Sequence, residues 1–148
     1  MLEQRCPECG AVTDDTSESC ASRFSALLAL DHSRREPWGS RHGQAFAAFA
    51  LQHPRAYPRS LDAAWTALYR IYALREPPAH VFAELRSGAR ELTKSAAVPK
   101  RPSSPVSRPA VTIADLGDFE AHSYPAQLDV WCRATLVAWG VTIDAPAA

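Results

Sequence analysis

Proline cuts this chain into pieces of helix length, and the pieces carry apolar residues at helical spacing. Pro37, Pro54, the Pro77-Pro78 pair and Pro125 stand as breaks. A proline inside a helix removes a hydrogen bond and clashes with the preceding turn, so each break bounds an element. Between the breaks, apolar positions recur three and four residues apart, and no segment shows the alternation of a half-buried strand. These features predict an all-α fold, a small bundle of about five helices in one domain spanning residues 1–148.

The spacing places a first helix over residues 19–32, capped by Ser19, with Phe24, Leu27 and Leu28 inward. A second runs from an N-cap at Ser40 to His53. The third starts after Pro58 with Ser60 as cap and carries one stripe of Leu61, Trp65, Leu68 and Tyr72. The fourth follows Pro78, with Val81, Phe82, Leu85, Ala89 and Leu92 on its buried face and Gly88 inside it. Residues 95–110 read as a proline-rich, solvated linker, closing a helical core of 20–94. The remainder, 111–140, reads as an apolar docking segment (Thr112 to Leu116) and a last helix. That helix begins at Pro125 and stops at Gly140, with Leu128, Trp131, Cys132, Thr135 and Trp139 inward. All four tryptophans are expected in the core.

Residues 1–19 are different in kind. They carry Cys6-Pro7-Glu8-Cys9-Gly10 and an acidic run from Asp14 to Glu18. Two cysteines separated by two residues can turn both thiolates onto one tetrahedral ion, and the flanking proline and glycine suit the tight turn. A thioredoxin-like dithiol would need a strand before it and a helix after it, and neither pattern is present. The chain therefore predicts an N-terminal zinc knuckle, with Cys20 as third ligand.

His53, His42 and Cys132 compete for the fourth position. A short connection makes the first two helices antiparallel neighbours, which returns His53 to Cys20. His42 lies about 16 Å further up the axis. The predicted Zn2+ ligands are Cys6, Cys9, Cys20 and His53, a closed shell of the structural kind. His42 reads as a hydrogen-bonded residue on an apolar face. His32, His80 and His122 show no partner in the sequence.

Sixteen basic residues balance sixteen acidic ones, which argues against attraction of the whole molecule to nucleic acid or anionic lipid. The basic residues Lys94, Lys100, Arg101 and Arg108 have no interleaved aromatics, so nucleic-acid binding is not expected there. No signal-peptide pattern and no apolar run of membrane-spanning length is present, so a cytoplasmic, reducing setting is expected for the cysteines. No Ser-His-Asp set, phosphate loop or paired acids appear. The chain reads as a module that binds another protein, of unstated oligomeric state. The alternative is a metal-dependent enzyme in a helical bundle using His42 and His53.

CPECG at residues 6–10, Cys20 ahead of a Phe-x-x-Leu-Leu-Ala-Leu helix, and His42 leading to Leu51-Gln52-His53-Pro54 together resemble an uncharacterised bacterial domain-of-unknown-function family. Thr112 to Leu116 and the closing Trp131…Trp139-Gly140 helix are similar to its C-terminal half. The resemblance implies a helical zinc-binding protein and carries no activity with it.

Overall fold

The computed structural model describes residues 4–13, 19–88 and 97–143. Its five α-helices are α1 (Cys20–His32), α2 (His42–Gln52), α3 (Leu61–Leu68), α4 (Pro78–Ser87) and α5 (Tyr124–Ala138). The fold is small and all-α, as the proline spacing predicts. The one extended feature among the described residues is a hairpin of two-residue strands, β1 (Gln4–Arg5) and β2 (Val12–Thr13), antiparallel with Arg5 opposite Val12.

Helix α2 is the centre of the molecule. Its sequence, His-Gly-Gln-Ala-Phe-Ala-Ala-Phe-Ala-Leu-Gln, is buried along almost its whole length. Alanine at 45, 47, 48 and 50 lets neighbouring elements approach closely at little entropic cost. Helices α3 and α5 pack on it, and α1 lies antiparallel beside it through stacked Phe24 and Phe49 rings, centroids 4.0 Å apart. Trp38, Trp65, Trp131 and Trp139 are all buried. Val81, Leu128 and Leu136 are fully enclosed with them.

The ends of α1 and α5 match their sequence signals. The Ser19 hydroxyl accepts from the Ser22 N–H, and Gly140 ends α5 in the left-handed region at φ +93°. Other boundaries correct the sequence reading. Ser40 does not cap α2. It sits in a 3-10 turn, Gly39–Arg41, and its hydroxyl donates to Glu36. Gly88 is not inside a helix, because α4 stops at Ser87 with Gly88 as its C-cap. Ala89, Leu92 and Lys94 lie outside the described residues, as does the acidic run from Asp14 to Glu18.

The third helix does not run uninterrupted to the prolines. A π-turn, Tyr69–Ala73, follows α3, closed by the Leu74 N–H donating to the Tyr69 carbonyl. The wider turn re-aims two side chains. Arg70 reaches Glu76 and Glu84 (2.6 and 2.8 Å), and the Tyr72 hydroxyl joins Gln44 of α2 to Asp129 of α5, 2.8 Å on each side.

The described part of the proline-rich segment, 97–110, forms no helix or strand, yet it is not free in solvent. The Trp65 indole donates to the Pro99 carbonyl (2.8 Å), Arg101 pairs with Asp62 and lies over the Trp139 ring, and the Val106 N–H donates to the Ala138 carbonyl. Ile113 and Leu116 are buried in a 3-10 turn whose start is fixed by reciprocal bonds between Thr112 and Asp115.

Candidate metal centre

The hairpin exists to make a turn, and the turn presents two cysteines. The Cys6 N–H donates to the Ala11 carbonyl (2.8 Å) and the Gly10 N–H returns to the Cys6 carbonyl (2.9 Å). Gly10 adopts φ +81°, a conformation that a side chain disfavours. Cys9 is thereby turned inward and buried, while Cys6 stays partly exposed. Cys20 opens α1, and His53 is the C-cap of α2.

One ligand atom from each of Cys6, Cys9, Cys20 and His53 lies within 4.8 Å of all the others. Cys9 Sγ and Cys20 Sγ are 3.6 Å apart. Thiolates bound tetrahedrally to a common ion at about 2.3 Å would stand about 3.8 Å apart, so the cluster is close to the size a metal requires.

His53 gives a sharper test of fit. Its Nδ1 donates to the Phe49 carbonyl at 2.9 Å, and its ring stacks on Phe49 with centroids 4.1 Å apart. The Phe24–Phe49–His53 stack and the helix backbone thus fix the imidazole orientation and tautomer. Nε2 is buried beside the Cys9 thiol without a well-formed hydrogen bond. A buried polar atom in that state costs about 1–3 kcal/mol, and a cation among the thiols would remove the deficit. The residues present fit a metal ion.

Proton chemistry tells the same story. A hydrogen bond with Cys20 and burial push the Cys9 thiol up to about 12. Burial lowers the His53 pKa, but the Cys9 contact and the Phe49 carbonyl outweigh it and lift the imidazole to about 9. A metal ion at the cluster would compete with protons for these same atoms. A cleft of about 370 Å³, lined by Cys6, Pro7, Cys20, Phe49 and His53 among others, gives a path to the cluster.

Two clamps hold the knuckle to the helices. Glu8, inside the CPECG turn, accepts from the Arg55 N–H at 2.8 Å, two residues beyond His53. Arg108 donates to the Cys6 carbonyl at 3.3 Å. Glu8→Ala is expected to weaken metal retention by roughly tenfold at most, the low end of outer-shell effects, read by competition with a chelating dye. Glu8→Gln, which keeps an acceptor, should recover most of the loss.

The competing candidates lie elsewhere. Cys132 is buried on α5, its thiol 3.6 Å from the Gln44 carbonyl. His42 is at the other end of α2, where its Nδ1 donates to Asp31 Oδ2 at 2.9 Å. His42 and His53 therefore cannot share one ion. His80 and His122, unpartnered in the sequence reading, face Glu84 (2.8 Å) and Glu120 (3.8 Å).

The Asp31 hydrogen bond raises the His42 pKa above its usual value, against the opposing effect of partial burial. The sign of the pH effect follows from that elevation. The charged pair stabilises the fold fully below the unfolded value near 6.5, and its contribution fades as pH climbs through the raised folded value. Denaturant unfolding of wild type against His42→Gln should show the largest difference near pH 5.5 and the smallest near pH 9.

Sequence reasoning missed Asp31 and Glu8. An aspartate eleven residues before a histidine, across a helical hairpin, was the available signal for the first. Nothing local marks Glu8 as a clamp.

No curated protein and no solved structure matches the chain. A family model does, over residues 4–140, a span that takes in all four clustered side chains and all five helices described above. The chain accordingly belongs to that family, the family of unknown function DUF5946.

Proposed function

We propose that Cys6, Cys9, Cys20 and His53 bind one structural Zn2+, and that the chain is a cytoplasmic, zinc-stabilised helical module that acts by binding another protein. The observation that carries the metal reading is the buried His53 Nε2, without a well-formed hydrogen bond, beside three converging thiols. Three sulfurs and one imidazole favour zinc over the harder cations, and four protein ligands leave no position for substrate or activated water. Zinc bound there would supply a crosslink between the knuckle, the start of α1 and the end of α2. No helix among the described residues is long and apolar enough to cross a membrane, and none of the four cysteines is in a disulfide.

The protein-partner reading draws on the surface. Val130 and Val137 are half exposed and seven residues apart, so they share the outer face of α5, and Val106 is 71% exposed beside the end of that helix. Arg101 pairs with Asp62 and lies over Trp139, and Arg108 donates to the Cys6 carbonyl, so these two cations already have partners within the chain.

The ligand assignment is tested by a paired substitution. His53→Ala should lower zinc affinity at least tenfold in a chelator competition, while His42→Ala keeps the wild-type value. Equal retention in both variants, or loss in His42→Ala alone, would mean that the ligand set is wrong.

A further inference from the structure

The helical hairpin that joins Cys20 to His53 at one end brings a second set of metal-capable groups together at the other. His32 ends α1 and His42 begins α2. Their ring centroids are 5.6 Å apart, with the planes tilted by 43°. Two imidazoles bound to one cation at about 2.1 Å have centroids roughly 5 Å apart, so the two rings stand near the separation that a shared cation requires. This end lies about 18 Å along α1 from Cys20.

Asp31 makes the pair more than a coincidence of surface residues. Its side chain is fully buried, while that of His42 is 41% exposed. With Nδ1 donating to Asp31 Oδ2, the lone pair of His42 sits on Nε2, away from the carboxylate. A carboxylate behind an imidazole fixes the tautomer and raises the basicity of the outer nitrogen, the arrangement found behind metal-bound histidines. The second oxygen, Asp31 Oδ1, is buried without a hydrogen-bond partner. A carboxylate kept only to clamp two helices would gain more from having both oxygens bonded.

The neighbouring cations leave room for a positive guest. Arg41 donates to the Pro37 carbonyl and lies 3.5 Å from Glu36, and Arg35 stacks over Trp38. Arg34, two residues beyond His32, is exposed.

We propose that His32 and His42, with Asp31 as the orienting carboxylate, form a second, solvent-open site for a divalent transition-metal cation, separate from the cysteine cluster. Imidazole nitrogens suit zinc, nickel and copper, and two protein ligands leave the other positions to water. The ion there is exchangeable, unlike one enclosed by four protein ligands.

The test is a titration of the zinc-loaded full chain with Ni2+, followed by paramagnetic broadening of the imidazole 1H–15N signals. One saturable equivalent should erase His32 and His42 before His80 and His122, with zinc retained. His32→Ala, at an exposed position, should weaken Ni2+ binding at least tenfold without changing the circular dichroism. Asp31→Asn should weaken it by about 10- to 100-fold. Equal broadening of all exposed histidines, nickel uptake matched by zinc release, or unchanged affinity in His32→Ala would each overturn the proposal. The His32→Ala arm decides the matter even where Asp31→Asn fails to fold.

Discussion

Cys20→Ser, or Cys9→Ser, is expected to lower bound zinc well below one equivalent per chain and to unfold the N-terminal half of the molecule. The four candidate ligands come from three separate places: the hairpin turn, the first residue of α1 and the C-cap of α2. In the unfolded chain they are far apart, so binding free energy there is folding free energy. Structural zinc in small peptides is worth about 10–16 kcal/mol at neutral pH, and losing one thiolate should forfeit a large share of it. The knuckle has little else to hold it. Its strands are two residues long, and the Glu8 and Arg108 contacts are exposed hydrogen bonds. Thermal unfolding with and without a strong chelator should shift wild type steeply and the Cys20→Ser variant hardly at all. Full zinc retention in both cysteine variants would refute the assignment.

Trp139→Ala is expected to destabilise the fold by about 3–5 kcal/mol, the usual cost of emptying a large buried site. Trp139 is 2% exposed and its indole N–H donates to the Leu51 carbonyl at 3.0 Å. Leu51 precedes the Gln52-His53 step by one residue, so this bond ties the end of α5 to the end of α2 that carries the imidazole. Arg101 lies over the outer face of the ring and connects it to the proline-rich segment. Trp139→Phe keeps most of the apolar volume and loses only the N–H, leaving a buried carbonyl unpaired. That variant should cost about 1–3 kcal/mol. Chemical denaturation with zinc held in excess separates this packing effect from metal loss.

What could be read from the sequence was the part fixed by local rules. Prolines and helical period located the elements, because a backbone that lacks an N–H cannot continue a helix. Antiparallel geometry chose His53 over His42 for the cluster, since a rise of 1.5 Å per residue separates them along α2 more than any side chain can span. The parts that were not legible depend on tertiary contact. Ser40 looks like a cap, but its hydroxyl finds Glu36 instead. The π-turn at Tyr69–Ala73 arises where Arg70 and Tyr72 must reach partners on α4 and α5, and no local residue signals it. The 97–110 segment has the composition of a free linker, yet Trp65 and Trp139 give it anchors that lie tens of residues away in sequence. Asp31, buried at the end of α1, was hidden for the same reason, because its partner belongs to the next helix.

In the proposed centre, three thiolates and the His53 imidazole enclose one cation. X-ray absorption at the zinc edge of the purified protein tests it most directly. The expected spectrum is that of one zinc per chain with three sulfur neighbours at about 2.3 Å and one nitrogen at about 2.0–2.1 Å. Protein that carries no metal, or zinc with fewer sulfurs and a bound water oxygen, would contradict it.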